Sequence, residues 1–379
     1  MRLLLSMTFL VSLGFSLACG GGGSSSRTPV TGNLTIRFGT DSFAGYSQAV
    51  VSLEKVEGST DGATWTLLGN IKTTVDLMAL QNGHSAVILP STPVMAATYG
   101  QFRLTWATVN YQSNIQQPAY LFPSGGAGQL LSMPVTTVVS GPVTVPANGS
   151  VIAQIMLSGQ QAVQAHAGGS YLFQATGQAQ DLGASAHITG HLGNGATPLA
   201  GVEVFAETVD GIGVATVQRR AFTDASGNYA LEALPTGTLY FVVAQPVEST
   251  NAYAAVAAAP VNATLATAYS ADLAFSAPQA PGALTLTITP ASTLVQGTWG
   301  ELRQILATGS AGSQMLIVRS QTVASGLAQD QAGFLGLTPG TYGVTAQRST
   351  AGAAPVKKTS ASQLLVNAGG TALTTLSYP

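Results

Sequence analysis

Apolar and polar residues alternate with a period of two along much of the chain. Leu34, Ile36 and Phe38 are separated by Thr35 and Arg37, and Phe102, Leu104 and Trp106 by Arg103 and Thr105. Leu284, Leu286 and Ile288 alternate with Thr285, Thr287 and Thr289. Successive strand residues point to opposite faces, so each run builds one apolar and one polar face. The runs are rich in Thr, Val, Tyr and Phe and are punctuated by Gly, Pro and Asn. That combination predicts an all-β chain of tandem antiparallel β-sandwich modules. Helical periodicity is scarce. Asp76 to Gly83 reads as one short helix, with Asp76 as its cap and Asn82-Gly83 as its stop. The Ala-rich run 252–274 reads as weak strands, with a helix over 252–259 as the alternative.

A turn-and-strand phrase recurs. Leu234-Pro235-Thr236-Gly237-Thr238-Leu239-Tyr240 resembles Leu337-Thr338-Pro339-Gly340-Thr341-Tyr342, and Pro93-Val94-Met95-Ala96-Ala97-Thr98-Tyr99 is a looser echo. Pro fixes one dihedral of such a turn and Gly supplies the positive φ. One copy falls in each of three candidate modules, 31–180, 186–275 and 282–379. The first boundary is expected near 180–187, where 177–183 reads as polar and turn-like. The second is expected in the Pro-containing segment 276–282.

Residues 1–18 read as a secretion signal: Met1-Arg2, an apolar stretch, then small Ala18. The chain's only cysteine, Cys19, follows. Ser16-Leu17-Ala18-Cys19 resembles a bacterial lipobox, which makes Cys19 the expected site of lipid attachment. Residues 19–30 begin with Gly20 to Gly23 and Ser24 to Ser26, the composition of a flexible tether. Gly at position 20, where Asp would retain a lipoprotein at the inner membrane, points to the outer membrane or cell surface.

Two stretches resemble known families. Residues 31–176 resemble DUF4382, a domain of bacterial secreted lipoproteins. The resemblance rests on Gly32-Asn33-Leu34-Thr35-Ile36-Arg37, Val75-Asp76-Leu77-Met78-Ala79-Leu80 and Thr98-Tyr99-Gly100-Gln101-Phe102-Arg103-Leu104. It implies no activity. Residues 186–275 resemble a carboxypeptidase regulatory-like module through Ile188-Thr189-Gly190, Pro198-Leu199-Ala200-Gly201-Val202, Thr223-Asp224-Ala225-Ser226-Gly227-Asn228-Tyr229 and Leu234-Pro235-Thr236-Gly237. That resemblance implies a transthyretin-like sandwich with relatives among carbohydrate-binding folds. Residues 282–378 are expected to form a further sandwich of similar kind.

Charge narrows the function. Only 7% of residues are charged and the net charge is −2, against about 25% charged in an average soluble domain. Phosphate neutralisation needs dense Lys and Arg, so nucleic acid is excluded as a partner. From Leu104 to Gln180, 77 consecutive residues contain no Asp, Glu, Lys or Arg. Residues 181–280 carry a net −6 and residues 281–379 a net +3, so the last two modules are expected to attract each other. The surface of the uncharged stretch suits neutral partners.

Candidate chemistry is sparse. His187 and His191 flank Ile188-Thr189-Gly190. On a strand they lie roughly 13 Å apart, too far to share a zinc ion. The second module has no lysine, which excludes a Lys–Asn crosslink there; only Lys357 or Lys358 could serve the third. Neither Gly-x-Ser-x-Gly nor His-Glu-x-x-His occurs. Asp224 is expected to accept backbone hydrogen bonds within its own turn. Trp106 is expected in the core, and Trp65 on either sheet face. Trp299, in Gln296-Gly297-Thr298-Trp299-Gly300, is the best single candidate for a sugar-stacking platform, weighed against a buried or edge-packing role.

No cofactor or metal is expected, and no catalytic residue is assigned. The leading reading is a non-catalytic, lipid-anchored extracytoplasmic protein for surface display, adhesion or envelope interaction. Its partners would be the membrane, through the lipid, and a polysaccharide or envelope protein. The alternatives are a carbohydrate-binding lipoprotein and an accessory subunit of an envelope enzyme or export complex.

Overall fold

A computed structural model of the chain describes residues 29–41, 43, 45–112, 117–165, 171–195, 197–247, 250–290, 298–323, 329–348 and 356–378. Cys19 and the proposed signal and tether up to residue 28 lie outside the described residues. Among the described residues the protein is nearly all β, with one four-residue helix, Gly159–Ala162, and short 3-10 turns. The three sequence runs that alternate most cleanly are strands whose apolar members are buried: Leu34, Ile36 and Phe38; Phe102, Leu104 and Trp106; Leu284, Leu286 and Ile288.

Residues 31–181 form one 12-stranded sheet that wraps a single core. Its central strands are Tyr46–Ser59, Thr98–Trp106 and Thr136–Thr144, paired antiparallel. The first strand, Thr31–Thr40, pairs parallel with Ser150–Leu157 and antiparallel with Ala86–Met95. The short helix expected at 76–83 is a 3-10 turn, Leu77–Leu80, and the Asp76 side chain accepts from the Met78 N–H as its cap. Asn82 and Gly83 end it with φ values of 56° and 82°.

The segment expected to be a polar turn is instead a strand. Gly177–Asp181 lies inside the first sheet, between Thr136–Thr144 and Ser150–Leu157. Its amides are on the outer face and Ala179 is fully buried on the inner one. Gly177 is required by packing, since a Cβ there would stand 2.5 Å from the Met156 carbonyl oxygen. The connection to the next sheet is a single 3-10 turn, Leu182–Ala184, capped by Asp181.

The next two sets of strands repeat one topology. In the second module, Ser185–Asn194 pairs antiparallel with Asn228–Pro235 and parallel with Ala268–Ser270 and Leu273–Ala274. The facing sheet runs Ala215–Phe222, Glu203–Val209, Thr238–Ala244, with Val256–Ala257 and Val261–Ala263 beside the last. In the third module, Gly282–Thr289 pairs antiparallel with Asp330–Leu337 and parallel with Thr371–Ser377. Its facing sheet runs Ser313–Val323, Thr298–Ala307, Gly340–Arg348, with Val356–Thr359 and Leu364–Val366 beside the last. The Ala-rich run contributes short strands and no helix. The segment between the modules is held by a two-way backbone pair, Ala252 with Gln279, at 3.0 and 2.8 Å.

The recurring sequence phrase has a common physical purpose. In each copy a buried tyrosine donates its hydroxyl back to a carbonyl just upstream: Tyr99 to Met95 at 3.1 Å, Tyr240 to Pro235 at 2.8 Å and Tyr342 to Thr338 at 3.0 Å. Such tyrosine corners pin the turn that launches a strand across a sandwich.

Candidate functional site

Several charged residues of this charge-poor chain are buried where the three modules meet. In the strand Glu203–Val209, Val204 and Ala206 face the second module's own core. Phe205 and Glu207, on the opposite face, are buried too. Phe241, Val243 and Ala215, from the neighbouring strands, belong to the third module's core. This sheet is therefore covered on both faces, which explains the unbroken apolar run Leu239-Tyr240-Phe241-Val242-Val243-Ala244.

Polar contacts fix the register of that interface. Ser313–Val323 is the outermost strand of its sheet, and its Ile317 N–H donates to Glu207 Oε2 across the junction at 3.0 Å. Glu207 is 0% exposed, and its Oε1 has no hydrogen-bond partner. Burial pushes its carboxyl up to about 8; Ile317 N–H, Arg303 and Arg220 oppose the shift and Glu301 adds to it. Arg319, also buried, donates back into the second module, to Gln245 Oε1 at 3.0 Å and to the Pro246 carbonyl at 2.6 Å. Burial draws its guanidinium down to about 10. Arg220 pairs with Glu203 at 3.4 Å and donates to Ser320 of the third module. Its guanidinium lies 4.9 Å from the Phe205 ring centre and 5.3 Å from that of Trp299.

The first module docks at the same place. The Asn82 side chain accepts from the Phe222 N–H at 2.7 Å. At Gly83 an added Cβ would stand 3.2 Å from Glu232 Cγ and 3.3 Å from Ala230 Cβ. Arg219 donates to the Glu232 and Ala233 carbonyls at 3.1 and 2.9 Å, and reaches Gln178 Oε1 at 3.5 Å. Asp41, at the end of the first strand, accepts from the Gly159 N–H. Burial pushes its carboxyl up to about 7, against the pull of Arg220, Gly159 and Arg219. Asp41, Gln178, Gln218, Arg219, Glu301 and Lys357 help line a polar cleft of about 290 Å³ between the three modules. A second cavity of about 230 Å³ lies among Tyr46, Val163, Glu203, Phe222, Trp299 and Ser320.

The sequence-derived candidates fall as follows. Trp299 is only 5% exposed, with Arg220 over its ring, so it is packed at the junction, lining the second cavity, and does not stand on an open surface. Gly297 lies outside the described residues; Gly300, which suggested exposure, instead allows close packing, since an added Cβ there would meet Leu286 Cδ2 at 3.1 Å. Trp106 is in the core and donates to Thr137 Oγ1 at 2.9 Å. Trp65 is half-buried with the Arg103 guanidinium 4.5 Å from its ring centre, and Arg103 also pairs with Glu57 at 2.8 Å. His187 and His191 share one strand; His187 lies 3.9 Å from Glu232, and His191 N–H donates to Asp272. No group of three His, Cys, Asp or Glu is placed to hold a metal ion among the described residues. Asp224 accepts from the N–H groups of Ser226 and Asn228, both at 2.8 Å, as its turn requires. Lys357 and Lys358 are exposed on Val356–Thr359, and Asp330 is bonded to Arg348 at 3.1 Å.

Sequence reasoning missed Asp41, Glu207, Arg219, Arg220 and Arg319. A signal was present: an outward Phe205 beside Glu207, in a module whose next strand is apolar on both faces, means the outer face is covered.

Residues 31–175 match the sequence profile of DUF4382, described as a domain of unknown function. They form a DUF4382 domain. The DUF4382 sheet extends slightly beyond that match, to Asp181. No curated protein matches the chain. Among solved structures, the Bacillus anthracis TIE protein is 11% identical over 92% of this chain, at a TM-score of 0.21; this chain spans 50% of its length. A streptococcal ancillary pilin is 10% identical over 92% of this chain and 99% of its own, at 0.22. The fimbrial anchor protein Mfa2 from Porphyromonas gingivalis is 9% identical over 43% of this chain and 77% of its own, at 0.20. Similarity of this extent does not assign a function.

Proposed function

We propose that the chain is a non-catalytic extracytoplasmic protein, lipid-anchored at Cys19, that holds a charge-poor DUF4382 domain and two transthyretin-like sandwiches as one rigid body at the cell surface. The observation that carries this reading is the use of the ionisable groups. Glu207, Arg219, Arg220 and Arg319 are buried in contacts between modules, and Asp41 is buried beside them in the shared cleft. A carboxylate working as acid or base must reach a substrate; Glu207 is fully buried and bonds backbone. Buried, directional contacts of this kind fix orientation, which suits display at a distance from a tether. The uncharged stretch 104–180 then presents hydroxyls, amides and apolar groups, a surface matched to a polysaccharide or an uncharged face of an envelope protein.

Two measurements test the reading. A Cys19→Ser chain should leave the membrane fraction and take up no radiolabelled palmitate; unchanged labelling removes the anchor. Cells displaying the wild-type chain should adhere to immobilised polysaccharide or envelope protein more than cells lacking it. Equal adhesion on every coating overturns the adhesive role.

A further inference from the structure

A sheet edge exposes unpaired N–H and C=O groups and invites another strand, so folded proteins blunt their edges. Nearly every edge described in this chain is blunted. In the DUF4382 sheet, Ala86–Met95 carries Pro90 and Pro93, Val163–Ala165 has three residues, and Thr66–Asp76 is broken by two register shifts. In the second module, the Arg219 guanidinium caps two carbonyls of Asn228–Pro235, and Ala215–Phe222 is packed against the third module. In the third, Glu207 caps Ile317, Val356–Thr359 carries two lysines, and Leu364–Val366 has three residues. The edge of Asp330–Leu337 is closed by Gln321 and Arg319, which donate to the Gly333 and Gly336 carbonyls at 3.1 and 3.4 Å.

Thr371–Ser377 has none of these devices. It is a seven-residue outer strand, Thr-Ala-Leu-Thr-Thr-Leu-Ser, with no charge, no proline and an unbroken register. Ala283 N–H donates to the Gly370 carbonyl and Tyr378 N–H to the Thr289 carbonyl. In a parallel ladder this phase turns the backbone groups of residues 372, 374 and 376 inward. Those of Thr371, Leu373, Thr375 and Ser377 point out from the edge. The side chains of these four residues are exposed as well, Leu373 at 73%.

We propose that Thr371–Ser377 is a docking edge for a second copy of this chain, paired antiparallel about Thr374. In that register Thr371 meets Ser377 and Leu373 meets Thr375, and every outward residue finds an outward partner. Two three-stranded sheets become one of six strands, with about eight new backbone hydrogen bonds. The strand is self-complementary in chemistry. The two Leu373 side chains become diagonal neighbours across the axis and cover each other, hydroxyls meet hydroxyls, and no like charges are brought together. The neighbouring Thr285 and Thr287 continue the neutral face.

Sedimentation of the full chain in detergent, over a wide micromolar range, tests this. The wild type should be a dimer. Thr375→Pro removes only an outward N–H, a change an edge strand tolerates, and Leu373→Lys places a charge beside its copy. Each should weaken dimerisation at least tenfold while the unfolding transition stays intact. Thr374→Cys lies on the axis in a pair close enough for a disulfide, so mild oxidation should link two copies. A monomeric wild type, or a dimer that survives both substitutions, overturns the proposal. So does a Thr374→Cys chain that crosslinks only to a different protein, which would assign the edge to a foreign strand.

Discussion

Glu207 is a carboxyl group fully inside a protein–protein-like seam, with one oxygen bonded to a backbone N–H and the other unpaired. Its folded-state value of about 8 is above its ordinary 4.5, so between those limits the folded chain holds a proton that the unfolded chain has released. Stability should therefore be greatest at low pH within this window, fall as pH rises towards 8, and level off above it. Asp41 adds a loss of the same sign between 3.8 and about 7. Glu207→Gln keeps an acceptor for Ile317 and removes the titration. Thermal unfolding measured from pH 5 to 9 should show a flatter profile for this variant and a gain on the order of 3 kcal/mol at pH 8. An unchanged slope would remove Glu207 as its source. The residue types were visible in the sequence, but their burial was not. Alternation tells which side of a strand a glutamate occupies, and says nothing of whether another module lies over that side.

At the scale of elements, local chemistry was legible wherever the responsible atoms are neighbours in sequence. Asp76 caps its turn, Asn82 and Gly83 stop it, and Asp224 closes its own loop, because each needs only residues a few positions away. Gly177–Asp181 was misleading for the converse reason. Gly and Asp favour turns in isolation, but two flanking strands make Gly177 necessary and leave the Gln amides on an outer face. Asn82 does more than end a turn, since its side chain holds the Phe222 N–H in the next module. Asn82→Gly keeps the positive φ that stops the turn, and Asp76 still caps it. The lost clasp should cost about 1 kcal/mol and accelerate amide exchange at Phe222. Unaltered exchange there would show that the two modules are held by other contacts.

At the scale of the molecule, the opposite charge of the last two modules was readable, and its location was not. Glu207, Arg303 and Arg319 are buried, Glu207 and Arg319 in contacts between the two modules, while Asp210, Asp224, Asp272, Lys357 and Lys358 are exposed. Arg319 is the clearest: it reaches Gln245 and Pro246 in one module and Gly336 in its own. Arg319→Ala leaves those acceptors buried without a donor, at a cost of about 3 kcal/mol. Calorimetry should show the second and third modules melting as one unit in the wild type and as two in the variant. A single, merely shifted transition would mean that the apolar contacts of Phe241 and Val243 suffice for coupling.

The sheet covered on both faces has a consequence for how such a chain can change over generations. Tandem β-modules joined by bare linkers can be duplicated, shuffled or lost one at a time, because each is complete when alone. Here the second and third modules share a topology, as descendants of a duplication would, yet Ala215, Phe241 and Val243 of one complete the interior of the other. Deleting either would strip an apolar wall from its neighbour. The pair has become the heritable unit, and recombination that separates residues 185–274 from 282–377 should be purged.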